Sequence, residues 1–448
     1  MKLTAFQAGK GDCLLLEGAD GRRMLVDGGM PAEFAEHVAP ALSALRGADG
    51  EGMIDLVYVS HIDRDHIGGV LQLLDDLVAW RVHQYHLEVG NTSHRTPNVP
   101  RPPEVGAIWH NAFHEQLGRN AGPVAGMLAA SAAILGGAEE GEEVAEAATR
   151  AGELAQSIPD AIKVSRRIGA GQLSIPLNAE FGGKLAYLRN KPPPSPIPLG
   201  GISLRVLGPS ASHLRALRAE WNAWLETHQA ALDDIRRRAR EAERDLDFSQ
   251  LDARLALTIA QADELRVALE KAKELGDIRA VTPPNLASLM LLVEENGRTL
   301  LLTGDGHSDH VLAGLRRHRL LDPDVGLHVN VLKVPHHGSE HNIDAAFCRR
   351  VTADDYVFCG NGEHTNPEIE VIDAVAESRW GPSNLLSPNP AAGGPFRFWF
   401  TSRESVTQQA DAKVHMAAVE ARVQRLIAAS GGRLAATFLE RGSFDVPV

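Results

Sequence analysis

Four side chains able to hold a metal ion fall between positions 61 and 66 of the stretch Ser60-His61-Ile62-Asp63-Arg64-Asp65-His66-Ile67-Gly68-Gly69. The run before it, Asp55-Leu56-Val57-Tyr58-Val59, is apolar and β-branched, the pattern of a buried strand. The run after it, Val70-Leu71-Gln72-Leu73-Leu74, reads as a helix. A tight strand-to-helix turn aims alternate side chains at one point. His61 and Asp63 can then face one cation, and Asp65 and His66 a second. The bland alternative is a solvated acidic helix start, since Asp favours first helical turns. Further motifs of the same kind, in a consistent order, weigh against it.

Residues 3–8, 13–17 and 23–26 read as short strands. The first two flank the turn Gly9-Lys10-Gly11-Asp12, and the third ends in Asp27-Gly28-Gly29. In the second half, residues 285–292 and 298–303 read as paired strands, and the latter stops at Gly304-Asp305-Gly306. The apolar run 329–335 carries Lys333 and delivers His336-His337-Gly338-Ser339. Adjacent residues at a strand end point in different directions, so one of the two histidines is expected to be a ligand. Residues 356–359 lead into Asn361-Gly362-Glu363-His364-Thr365-Asn366-Pro367.

These motifs resemble the metallo-β-lactamase superfamily, whose second motif is normally His-x-His-x-Asp-His. Asp63 stands here at the second His. That variant is typical of the branch containing the hydrolase domain of the competence protein ComEC and the phosphorylcholine esterases; the Gly-x-Gly-Asp opening also resembles it. The resemblance implies an α/β fold, a four-layer αβ/βα sandwich with helical insertions. It implies two divalent metal ions, zinc or manganese, on His61, Asp63, Asp65, His66, Asp305 and His336, with Asp305 bridging. Asp27 would steady the ligand loop, and Asp12 either reaches the site or caps its turn. Asn285 lies near where other members place a His ligand. Lys333 and Asn366 belong with these supporting or substrate-facing positions. His337 and His364 join Asp65 as catalytic candidates, His364 being favoured over Asn366 because it can donate a proton.

Replacing imidazole by carboxylate at Asp63 hardens the donor set, so manganese becomes plausible beside zinc. Paired metals lower the pKa of a bound water and steady an in-line displacement at phosphorus. The expected activity is therefore a phosphodiesterase. The residues point only to a phosphoester; the ComEC resemblance points to DNA, and so to a nuclease. Hydrolysis of small phosphodiesters, or of carbon esters, lactones or thioesters, is the enzymatic alternative, and a non-catalytic binding protein is the other.

The remaining chain sets the frame. Its 448 residues suit one large decorated domain over 1–448, with a helical and loop insertion at 91–201 and a helical hairpin at 213–284. A net charge of −13 argues against a generally basic nucleic-acid coat. Cys13, Cys348 and Cys359 lack ligand spacing and read as free thiols of a reducing cytoplasm. No signal-like start and no membrane-length apolar run are seen. Residues 82–88 read as a strand in which His83 and His86 pack rather than bind. Residues 105–116 read as a helix with His110 and His114 on one face, and 125–157 as Ala-rich helices. Residues 191–198 read as a Pro-rich linker. Arg236-Arg237-Arg238 in the hairpin is either a solvated face or a phosphate-contacting patch. Residues 414–429 read as a closing helix and 433–440 as a closing strand. A DNA-degrading effector of bacterial defence, its insertions covering the site until a protease or partner acts, is the sharpest expectation.

Overall fold

The computed structural model describes residues 1–47, 52–111, 160–161, 163–189, 194–212, 214–215 and 288–448. Strands β1 (Lys2–Phe6), β2 (Leu14–Glu17), β3 (Arg23–Val26), β4 (Met53–Tyr58) and β5 (Glu104–Trp109) build the first sheet with the last strand of the chain, β14 (Ser443–Pro447), in the order β14-β1-β2-β3-β4-β5. The second sheet runs in reverse sequence order from β13 (Leu434–Phe438) through β12 (Phe396–Phe400), β11 (Val351–Phe358), β10 (Leu327–Lys333), β9 (Arg298–Leu302), β8 (Met290–Glu295) and β7 (Ile202–Gly208) to β6 (Ile197–Leu199).

Three apolar clusters make this a sandwich of four layers. Leu56 and Tyr58 of β4 face the second sheet, in a cluster with Leu204, Leu291 and Leu302. Val57 and Val59 face the other way, against Phe34, Val70 and Leu74 of the first helical layer. A strand buried on both faces has no reason to alternate, which explains the unbroken apolar run before the metal-capable loop. The outer face of the second sheet packs Leu301, Leu332 and Phe398 against helices Ser308–Arg317, Ile369–Trp380 and Ala410–Ala429. Each fully buried Leu or Phe contributes about 1.5–3 kcal/mol to holding the layers together.

β3, β4 and β5 are parallel, as are β9 to β13. Their carboxyl ends open on one edge of the sandwich, and ligands of α/β sheets gather beyond strand carboxyl ends. The motifs at Asp27, His61, Asp305, His336 and His364 each follow such an end.

Three elements differ from the sequence reading. Residues 82–88 are not a strand; they complete one helix, Arg64–Glu88. The expected helix at 105–116 begins as β5 instead, because Val105 and Ile108 fill the first core and the segment pairs with β4. The stretch 91–201 therefore supplies a strand to the sheet. The strand at 443–447 has no counterpart in the sequence reading; it adds antiparallel to β1. The expected helices at 125–157 lie outside the described residues, as do His114, Asn285 and Arg236 to Arg238. So does the expected helical hairpin at 213–284, apart from positions 214 and 215.

Candidate metal centre

Asp27 directly follows β3 with φ +55, a left-handed conformation that costs a non-glycine residue energy and persists only when its surroundings hold it. Here they do. Ser60 donates its backbone N–H to Asp27 Oδ1 at 2.7 Å and its hydroxyl to Oδ2 at 2.6 Å. Asp27 Oδ2 also lies 3.0 Å from His66 Nδ1. This carboxylate fixes the imidazole so that Nε2 looks forward, 3.3 Å from Asp305 Oδ2. The loop can come this close because Gly28 has no side chain: a Cβ there would meet Val70 N at 2.3 Å.

His61, Asp63, Asp65 and His66 leave β4 together. His61 Nε2 is 3.1 Å from Asp63 Oδ2, and its ring meets His66 edge to face with centroids 4.6 Å apart. Asp63 is the N-cap position of helix Arg64–Glu88, yet its side chain makes no capping bond. Asp65 Oδ2 sits 3.2 Å from His337 Nε2.

The second half meets this loop through Asp305, buried beyond β9. Its Oδ2 faces three imidazole nitrogens: His66 Nε2 at 3.3 Å, and His336 Nε2 and His337 Nε2 at 3.5 Å each. The sequence leads one to expect one of the adjacent histidines, His336, as a ligand and His337 beside it as a catalytic candidate. Both reach Asp305, because both adopt left-handed backbone, φ +44 at His336 and φ +55 at His337. Asn342 steadies the pair, with Oδ1 2.6 Å from His336 Nδ1 and its amide donating to Asp305 O at 2.9 Å.

Asp12 reaches the site. Gly11 lets its turn press on the helix start, since a Cβ there would lie 1.8 Å from Asp65 O. Asp12 Oδ1 is 3.1 Å from His337 Nδ1, and Oδ2 takes the Lys333 ammonium. Lys333, wholly buried, also donates to Gly304 O at 3.1 Å and lies 3.7 Å from Asp305 Oδ1. His364 and Asn366 stand apart from these groups of ligand atoms. His364 is half-buried with Nε2 3.4 Å from Lys10 Nζ, and Asn366 is buried beside Pro367. Sequence reasoning misses the roles of Ser60, Asn342 and Lys10. Ser60 sits inside the motif and is the most readable of them; nothing in the sequence marks Asn342.

Burial pushes every charge here toward neutrality, and mutual attraction overcomes it in most cases. Burial raises Asp12, but Lys333, His337 and His66 bring it down to about 2. Asp65 and Asp305 are likewise held well below the usual carboxylate range by His66 and His337, against burial. His66 and His337, penalised by burial, are nonetheless pushed well up, chiefly by Asp305. His336 goes down, because burial outweighs its attraction to Asp305.

The donor set fits divalent cations. His61, His66 and Asp305 offer ligand atoms within 4.8 Å of one another; so do Asp65, His66 and His337, and Asp12, Asp305 and His337. Among the described residues, the buried His61 Nε2, His66 Nε2, His337 Nε2 and Asp305 Oδ1 lack a well-aligned hydrogen-bond partner. Buried polar atoms are normally paired, and cations held by these separate groups would supply the missing partners. Among the described helices none is long and apolar enough to cross a membrane. No curated protein matches the chain. A family model described as the Metallo-beta-lactamase superfamily matches residues 7–126, which hold Asp12, Asp27 and the His61 to His66 loop, and the two-sheet sandwich with its buried His/Asp groups accords with that superfamily of metal-dependent hydrolases.

Proposed function

We propose that the protein is a metal-dependent phosphodiesterase and that its substrate is DNA. The observation that carries this reading is Asp305 Oδ2 at 3.3–3.5 Å from three imidazole nitrogens, with the Asp65 carboxylate alongside. Such a mixed carboxylate and imidazole set suits two zinc or manganese ions, held by His61, Asp63, Asp65, His66, Asp305, His336 and His337. Bound divalent ions supply a water of lowered pKa and positive charge for the nonbridging oxygens of a phosphodiester. The chain's own residues hold geometry and protons. Asp27 and Asp12 orient His66 and His337 through their Nδ1 atoms. Lys10 and His364 offer donors to a phosphate or a leaving oxygen at the rim. The resemblance to ComEC is what favours DNA; the motif variant itself is shared with the phosphorylcholine esterases, and the residues point only to a phosphoester.

The test is to purify the protein, count its metals, and incubate it with plasmid and single-stranded DNA plus manganese or zinc. Asp305→Ala is the control. Cleavage of an acyl ester with no cleavage of DNA or bis-p-nitrophenyl phosphate would overturn the reading. Control of this activity by the segments outside the described residues, as in a defence effector, extends the proposal. Limited proteolysis near 191–198 should then change the rate of DNA cleavage.

A further inference from the structure

Three histidines meet at the far end of helix Arg64–Glu88, away from the strand carboxyl ends. His83 is buried, and His86 and His94 are half-buried. In the sequence, His83 and His86 have no partner; the structure supplies one by folding the following loop back. His94 Nδ1 lies 3.4 Å from His83 Nδ1, so in the metal-free fold one ring donates a hydrogen bond to the other, a contact that a cation held by both would replace. The His86 ring stacks on His94 with centroids 4.2 Å apart and planes 16° apart.

The loop is anchored on both sides of His94. Asn91 N–H donates to His86 O at 2.8 Å, and Asn91 Oδ1 accepts from Ser93 N at 3.2 Å and Ser93 Oγ at 2.7 Å. Further on, Trp80 Nε1 donates to Val99 O at 3.1 Å. A site built before its ligand arrives loses less freedom on binding.

We propose that His83 and His94 bind a late first-row divalent cation, zinc being the probe, at a second site separate from the candidate catalytic centre. Imidazole suits zinc, copper and nickel. Zinc–nitrogen bonds of about 2.0–2.1 Å at tetrahedral angles set two ligand nitrogens about 3.4 Å apart. That is the Nδ1 to Nδ1 separation found here. Water completes the coordination, and stacked His86 holds the plane of His94. The cation ties the loop carrying His94 to the helix.

The experiment is equilibrium dialysis of the full chain against zinc, with metal counted per chain. His94→Ala and His83→Gln should each lose one equivalent, while His37→Ala, remote in sequence, keeps the wild-type count. His94 lies on a loop, so its variant tests the site without disturbing the core. His94→Ala should leave phosphodiester hydrolysis unchanged, which separates this site from the candidate centre. An undiminished zinc count in His94→Ala would overturn the proposal.

Discussion

Asp12 Oδ1 lies 3.1 Å from His337 Nδ1, joining the turn after β1 to the loop after β10. The same arrangement recurs where Asp27 Oδ2 lies 3.0 Å from His66 Nδ1. Each of the two most buried imidazoles of the centre that face Asp305 thus has a carboxylate behind it, and each turns Nε2 toward Asp305. The two sheets cooperate here, because Asp12 comes from one and Lys333, which grips its other oxygen, from the other.

Asp12→Asn tests this orientation. The amide keeps the shape but loses the charge that fixes the His337 tautomer. Metal affinity should fall about 10–100-fold, the usual effect of removing a group behind a ligating histidine. Competition with a chromophoric chelator measures it, and circular dichroism checks the fold. Wild-type affinity in a folded variant would remove the orienting role of Asp12.

Asp305→Ala should have the larger effect, since one oxygen serves three imidazoles. Bound metal and phosphodiester hydrolysis should both drop to background. The metal-free variant should also melt lower than metal-free wild type, because burial would then oppose charged His66 and His337 with less to offset it. Metal analysis and thermal melts after chelation check the two halves of this expectation separately.

The pH dependence follows from the shifted groups. His66 and His337 lie well above their ordinary 6.5 in the metal-free fold. Their stabilisation is full below 6.5 and is lost as pH rises through the raised values. Asp12, lowered from 3.8 to about 2, contributes stability above 3.8 that is lost as pH falls through about 2. Metal-free protein should therefore be most stable between these limits and weaken on the alkaline side. Metal ligation needs neutral imidazoles, so binding should release protons and tighten as pH rises. Calorimetry in buffers of different ionisation enthalpy measures the protons. Stability of the chelated protein that climbs steadily above pH ~7 would contradict the assignment.

The fold was legible because β4 and its loop carry two signals at once, an apolar run buried on both faces and a dense set of polar residues after it. The second half was legible for the same reason at Asp305 and His336. Local pattern failed at helix Arg64–Glu88, whose end exposes Val82, Tyr85 and Leu87, with Val89 just beyond. Exposed β-branched and aromatic residues mimic a strand when burial is not known. His336 and His337 were both named as site candidates, but the way they reach Asp305 was not legible, because left-handed backbone at two consecutive non-glycine residues depends on packing that no local pattern encodes. Asn342 contacts both His336 and Asp305, but a lone Asn in a loop has no signature.

The close approach of the Asp27 loop to helix Arg64–Glu88 yields the last prediction. Gly28 N–H donates to His66 O at 2.8 Å and Gly69 N–H to Gly29 O at 2.9 Å, so backbone touches backbone with no side chain between. A Cβ at Gly28 would meet Val70 N at 2.3 Å, and rigid backbone cannot swing aside as a flexible side chain would. Gly28→Ala should therefore force the loop off the helix, at about 1–3 kcal/mol or more, in the range for overpacking a filled space. The displacement acts on Asp27, and through it on the direction of His66 Nε2. Metal affinity should fall together with stability. Gly171→Ala is the matched control, since a Cβ there meets nothing within 4 Å. Chemical denaturation and metal titration of the two variants decide it: equal stability for both would mean that the loop and helix yield more readily than their contact implies.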